Sequence, residues 1–570
     1  MTHLLDDLPD LARRTPRAVA LRWFGGRDGS RVREELTFGD LAERVERTAA
    51  GLRAQGLEPG DRVLFSIRPR PEGVVLCLAI LRAGGAVVFV DPGSTPELFA
   101  ARIAAARPRW AATEALLYAV SSGPLRGVAR SRGLLLPDYG RLPVRHLYSG
   151  PWLPGVPRGA RRVAGLGRGV ALADGYDAAP AVDPDAVALV VFTSGTTSDP
   201  KAVVHTARTL GGMLGLFRQV GDLRPGQRAH TDQMFLGLPA VLAGGTWEIP
   251  ARSPKDAPEA FARGVAGADS SFLVPADVTA LLDVVEARAD AGDGAAVGPA
   301  VLAVGAAPVT VALLERARRV LPGTRWLAVY GATEILPAAV TEAGEKIAAA
   351  AAGDLVGRPL DGIGVRVDTS VVDPQDQGAG DGGPAVGELV LTGPSLMAGY
   401  LADVDAGRPP VTEHRTGDLA HQDADGRIVL VGRNRDMIIR GTVNIYPGLF
   451  EPRLRDLPGV AEAVLVGVPV PDGDERVVLV VTAGAERASG EPTAGPPVRT
   501  DTPLTRAVAD QVGRVLDHGA LPDLVVEAAY LPLAGRSRKP DRRLLAEWVS
   551  PVTGDLTGSS TGGSTGRVRA

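Results

Sequence analysis

The sequence predicts an α/β protein of more than one domain. Three observations carry this. The chain has 570 residues, more than a single hydrophobic core usually organises. Short β-branched runs alternate with helical patterns at the spacing of parallel strand–helix–strand units. After residue 432 the pattern changes to that of a small α+β unit.

The elements follow in order. Residues 38–54, FGDLAERVERTAAGLRA, keep apolar side chains near helical spacing, and Thr37 can cap that helix. Residues 62–66 read as a buried strand, 72–83 as a helix and 86–90 as the next strand. The stretch 121–181, rich in Gly, Pro and Arg, has no clear period and predicts no definite element. Residues 187–192, VALVVF, form a buried strand that runs into a polar loop. Short strands are expected at 300–304 and 326–330. A turn-rich surface loop is expected at 373–384, among strands at 387–391 and 427–431 of a β-rich part. In the last unit, 460–468 and 476–482 are strands with helices between and after them. Residues 550–570 are a Gly/Ser/Thr tail expected to be disordered.

Composition excludes several function classes. With 62 basic against 66 acidic side chains the net charge is −4, so bulk charge does not favour nucleic acid. A single cysteine, Cys77, lies in the apolar run VVLCLAIL, which rules out a disulfide within the chain and favours a small buried residue over a nucleophile. No apolar stretch reaches the roughly 20 residues of a membrane helix, and the acidic-amphipathic start lacks a signal core. A cytoplasmic protein is expected, without membrane insertion.

The strongest chemical signal is residues 192–201, FTSGTTSDPK. Hydroxyl residues and a glycine directly after a buried strand can turn backbone N–H groups inward as an anion-binding nest, to which Lys201 adds a charge. The loop is not a Walker sequence, because no GK[ST] opens a following helix. Taken alone it could be a surface turn. Three further segments are YGATE at 330–334, TGD at 416–418 and GRNRDMIIRGTVNIYPGLFE at 432–451. A fifth is PLAGRSRKPDRRLL at 532–545. Individually, the plain readings of YGATE and TGD are a capped turn and an Asx-turn, and that of Lys539 is a solvated basic face.

Together and in this order, the five segments resemble the AMP-forming adenylate superfamily of acyl-CoA synthetases, peptide-synthetase adenylation domains and luciferases. The resemblance covers roughly residues 11–549. It implies a large N-terminal domain, residues 1–432, of β-sheets flanked by helices with a β-rich subdomain. It also implies a small mobile α+β lid, residues 433–549, hinged near Arg435. The implied cofactors are ATP and Mg²⁺, with CoA as second substrate and a carrier protein as the alternative. Thr193, Ser194, Gly195, Thr196, Thr197 and Lys201 would hold the β- and γ-phosphates. Tyr330 and Gly331 would lie against adenine, Thr333 near the α-phosphate and Glu334 on the metal. Asp418 and Arg433 would hold the ribose, and Lys539 would bridge the acid oxygen and the α-phosphate. Ser198, Ala202 and Arg538 stand where the family has glycine, and Thr442 where a second glycine or an aromatic is common.

For the acid pocket the resemblance points to Gly305, Ala306, Ile335 and Leu336, followed by Pro337. The histidine that often follows a proline in acyl-CoA synthetases has no match in residues 230–239; His230 is a few residues away, and His205 is expected on the helix after the loop. Residues 68–93, 304–309, 330–340 and 546–548 resemble the olefin-pathway β-lactone synthetases, whereas 436–447 resembles ordinary acyl-CoA ligases. Transfer to CoA is the expectation. Lactone formation by a 3-hydroxy acid and adenylation of another oxyacid are the alternatives, and a non-catalytic nucleotide-binding relative is disfavoured by Lys539, Glu334 and Asp418.

Overall fold

The computed structural model describes residues 4–26, 28–90, 96–127, 136–169, 182–192, 201–291, 297–307, 309–349, 354–371, 384–432, 438–440, 443–445, 447–470, 474–483, 498–516, 520–534 and 539–554. Two large sheets organise the chain up to residue 432. One has 13 strands. Its middle is parallel: Val19–Gly25, Thr246–Ile249, Arg228–His230, Ser270–Leu273, Val301–Val304 and Arg325–Ala332 lie side by side. Beyond Arg325–Ala332 it continues antiparallel through Ile335–Glu342, Asp354–Pro359, Ile428–Gly432, His414–Gln422, Gly387–Thr392 and Gly364–Asp368. The expected β-rich part is thus an extension of this sheet.

The second sheet has 8 strands, ordered Gly399–Tyr400, Ala202–Thr206, Val187–Phe192, Ala86–Phe89, Arg62–Ser66, Trp110–Glu114, Arg145–Ser149 and Arg161–Arg162. The helix Phe38–Ala54 leads into it from the strand Arg31–Thr37 of the first sheet, the helix Pro71–Arg82 joins two of its own strands, and both belong to the main core. Thr37 caps the first of them with a full capping box: its hydroxyl accepts from Asp40 N at 3.1 Å, and the Asp40 carboxylate accepts from Thr37 N at 3.1 Å. Cys77 is fully buried in the second helix, and burial pushes its thiol up to about 12. It is therefore a packing residue.

Close packing sets some positions without regard to function. Gly237 lies in the helix Met234–Leu242 against the fully buried Trp247. A methyl group there would come within 2.0 Å of the indole ring, whose N–H donates to Thr231 O at 2.8 Å. Gly237→Ala is expected to cost about 2 kcal/mol of stability. Thermal unfolding measures it, and a wild-type Tm would refute this account of the contact.

The C-terminal residues form a three-stranded sheet, Glu462–Pro469, Glu475–Thr482 and Leu524–Glu527. Its side chains alternate strictly between two cores. Leu465, Leu479 and Val525 face one that includes Phe450, Leu454 and Val508 from the helices Pro447–Arg455 and Pro503–Val512. Val466, Val480 and Val526 face the other, with Leu545 and Val549 of the helix Arg542–Gly554. That helix carries regular structure past residue 549, where the tail was expected to begin; Ser550 to Thr553 are part of it because Val549 and Val552 pack onto the sheet. Residues 555–570 lie outside the described residues, as does most of the loop expected at 373–384. Among the described residues no helix is long and apolar enough to cross a membrane.

Candidate active site

The strands Val187–Phe192 and Ala202–Thr206 pair antiparallel, with Phe192 opposite Ala202. Residues 193–201 therefore leave and re-enter one end of a single hairpin. Thr193, Ser194, Gly195, Thr196 and Thr197 lie outside the described residues. Lys201, which closes the loop, is exposed and sets its ammonium group over the face of Tyr400, with Nζ 5.5 Å from the ring centroid.

The segment 330–334 turns a second hairpin, between Arg325–Ala332 and Ile335–Glu342. Ala332 stands opposite Ile335, so Thr333 and Glu334 form the turn. Gly331 is required there: an added methyl would sit 2.7 Å from Leu336 Cδ1 and 2.9 Å from Ile335 O. The turn docks against the hairpin that carries the polar loop. Met397 N donates to Glu334 O at 2.8 Å. Tyr400 Oη donates to Glu334 Oε1 at 3.0 Å. His205 Nε2 lies 3.0 Å from Thr333 O and Nδ1 3.3 Å from Thr209 Oγ1. A carbonyl can only accept, so Nε2 carries the proton and Nδ1 accepts from the threonine. Burial holds this imidazole below its usual range, against the opposing pull of Thr333 O and Glu334. His205 thus sits on the strand Ala202–Thr206, not on the following helix. The helix starts one residue beyond Thr206, whose hydroxyl caps it by accepting from Thr209 N.

Tyr330 reaches across to the TGD segment and donates from its phenol to Asp418 Oδ2 at 2.5 Å. The segment is fixed from beneath. Thr416 Oγ1 donates to Leu389 O at 2.9 Å and accepts from Asp418 N at 3.1 Å. Gly417, at φ +74°, donates from its N–H to Glu388 Oε1 at 3.2 Å. His414, on the same strand, is a neighbour the sequence did not single out. Burial keeps it below its usual range although Glu334, Asp418 and Glu388 all favour its charged form.

The structure thus brings Lys201, Tyr330, Thr333, Glu334 and Asp418 into one neighbourhood, with His205, His414 and Tyr400 added. Arg433 and Arg435 lie outside the described residues. Lys539 is described only in its backbone, in a two-residue strand paired with Leu533–Ala534. The residues after it have a structural role of their own. Arg542 grips both oxygens of the Glu451 carboxylate, at 2.6 and 2.9 Å, while Leu545 is fully buried. The R-x-x-L spacing after Lys539 therefore anchors the strand that carries it.

Gly305 and Ala306 follow the strand Val301–Val304. Ala306 takes the left-handed conformation, at φ +65°, which a side chain tolerates at a cost of about 1 kcal/mol. Gly305 abuts Phe272, whose ring would lie 3.1 Å from an added methyl. Phe272 lines a cavity with Phe217, Val220, Thr231, Ser271 and Ala303. The cavity is bounded by the helix Ala207–Val220 and the parallel strands, and its walls are mainly apolar. Ile335 is fully buried in the core, and Leu336 packs on Gly331. His230 faces away from the cavity, buried between Phe24 and Phe261 with Nδ1 3.7 Å from Glu248.

A lysine, a carboxylate on a tight turn and a second carboxylate under an aromatic hydroxyl offer charges of both signs in one place, a set that suits a phosphorylated ligand and its metal ion. The chain belongs to the AMP-binding enzyme family, which matches residues 8–401. It is an AMP-forming ligase that activates an acid by adenylation. It is 29% identical over 520 residues to an olefin β-lactone synthetase of Xanthomonas campestris pv. campestris, covering 84% of this chain and 87% of that protein. It is also 29% identical over 512 residues to a feruloyl-CoA synthase of Amycolatopsis sp, covering 84% and 89%. Among solved structures, the amide bond synthetase from Marinactinospora thermotolerans superposes with a TM-score of 0.72 at 24% identity, over 96% of this chain and 99% of that one, which establishes the shared fold.

Proposed function

We propose that the protein adenylates a carboxylic acid and passes the acyl group to a thiol, CoA first and a carrier protein second. The observation that carries the adenylation step is the meeting of Lys201, Glu334 and Asp418 through the contacts of Tyr400 and Tyr330. An acid oxygen attacks the α-phosphorus of ATP; the bond to the bridging oxygen breaks, and pyrophosphate leaves with that electron pair. Lys201 and the hydroxyls of Thr193, Ser194, Thr196 and Thr197, with the N–H of Gly195, hold the leaving phosphates. Asp418 and Arg433 hold the ribose, Tyr330 and Gly331 border the adenine, and Thr333 approaches the α-phosphate. Lys539 neutralises charge as it builds between the acid and the α-phosphate.

Glu334 fits Mg²⁺: it offers a hard carboxylate oxygen, held by a phenol, beside a lysine that draws phosphate to the same place. When bound, the ion would screen phosphate charge. Residues 1–432 form the adenylating body and 433–554 the lid, with Arg435 as hinge; lid rotation after adenylation withdraws Lys539 and admits the acceptor. Gly305 and Ala306, at the end of the strand Val301–Val304, and Leu336, beside Gly331, border the acid's reacting end, and Ile335 supports that segment from the core.

The thiol acceptor is supported by the feruloyl-CoA synthase and by a fatty acid–carrier protein ligase of Mycobacterium marinum, 27% identical over 513 residues. A second reading has specific support. Olefin β-lactone synthetases of Xanthomonas and Stenotrophomonas maltophilia are 29% and 27% identical, the latter over 95% of this chain. In that reading the substrate's own 3-hydroxyl displaces AMP. Pyrophosphate release over an acid panel, with and without CoA, followed by mass analysis, separates the two. A thiol ligase without thiol should stop near one pyrophosphate per site. Repeated turnover without thiol, giving a product lighter than a 3-hydroxy acid by one water, would replace the thiol reading. ADP in place of AMP would remove both.

A further inference from the structure

We infer that Tyr400 is a positioning residue of the site, tying the carboxylate of Glu334 to the ammonium group of Lys201. This rests on the adenylation reading above. Tyr400 belongs to the short strand Gly399–Tyr400, which pairs antiparallel with Ala202–Thr206 and sets Tyr400 opposite Val203. That partner strand begins directly after Lys201. The pairing delivers the tyrosine ring to the lysine, with Nζ 5.5 Å from its centroid. The hydroxyl at the far end of the same ring donates to Glu334 Oε1 at 3.0 Å.

One side chain therefore touches two charges carried by different sheets. Lys201 comes from the 8-stranded sheet, and Glu334 from the turn between two strands of the 13-stranded sheet. The two ends of the tyrosine act by different physics. The phenol restricts the carboxylate to one orientation through a charge-assisted hydrogen bond. The ring face attracts the ammonium group. Backbone contacts hold the strand independently of either: Ala398 N donates to Val204 O and Met397 N to Glu334 O, both at 2.8 Å. The hydroxyl can thus be removed without removing what places the residue. Its loss should loosen only the metal-facing carboxylate, while loss of the whole ring should also release the lysine.

Calorimetric titration with ATP, once with Mg²⁺ and once with EDTA, tests this without knowledge of the acid. The wild type, Tyr400→Phe and Tyr400→Leu are compared, each with its unfolding temperature. Tyr400→Phe is expected to keep the EDTA affinity and lose about fivefold of the tightening that Mg²⁺ gives. Tyr400→Leu is expected to add a loss of about threefold in EDTA. A full Mg²⁺ effect in Tyr400→Phe would overturn the inference, as would equal losses in both buffers that track a fall in Tm. A wild type that does not bind ATP would overturn the adenylation reading and this inference with it. Normal wild-type binding beside an unshifted Tyr400→Phe removes the inference alone.

Discussion

Lys539→Ala is expected to lower the adenylation rate by about a hundredfold or more while MgATP binding stays near wild type. A lysine that acts on charge created during transfer contributes to kcat and little to the ground state. Its backbone is anchored on both sides. Residues 539–540 pair with Leu533–Ala534, Asp541 N donates to Pro532 O at 2.8 Å, and Asp541 Oδ1 caps the next helix by accepting from Leu544 N at 3.0 Å. Arg542 and Leu545 complete the attachment through Glu451 and the core. Single-turnover pyrophosphate release, with ATP binding measured in parallel, gives the split. An unchanged rate would pass the role to another lysine, with Lys201 the first to test.

Glu334→Gln should raise the Mg²⁺ concentration for half-maximal rate by about tenfold or more, with little change in acid binding. The substitution isolates charge. Glutamine keeps an oxygen that can accept from Tyr400, so the contact at 3.0 Å survives while the negative charge is lost. The backbone of the turn is independently held by Met397 N and His205, which protects its shape. A magnesium titration of the pyrophosphate rate decides the matter, and an unmoved midpoint would remove Glu334 from the metal. The effect should exceed that of Tyr400→Phe, because one change removes a ligand's charge and the other only its orientation.

Much of the scaffold was legible because it is written in local patterns. The strand Val187–Phe192 coincides with its apolar run, and the helix Phe38–Ala54 follows its apolar periodicity behind the Thr37 cap. Buried strands carry continuous apolar runs, and a cap is a property of four adjacent residues. The stretch 121–181 resisted for the opposite reason. Its strands Arg145–Ser149 and Arg161–Arg162 are the last two of the sheet, the latter at its edge with both residues exposed, so neither shows the run of a buried strand. His205 was misplaced because a short strand passes into a helix within two residues, where periodicity has nothing to average over.

The sequence by itself determined which chemical groups the chain owns and in what order: the loop ending at Lys201, the YGATE turn, the TGD segment and the terminal lysine motif. Those are local strings, each readable within a few residues. Only the tertiary structure decided which side chains hold those groups in place. Tyr400 and Glu334 are 66 residues apart, and Tyr330 and Asp418 are 88 apart. The strand that brings Tyr400 to the site is two residues long. Its position is set by hydrogen bonds to Val203 and Val204 on a neighbouring strand, and no period in the sequence records such a pairing.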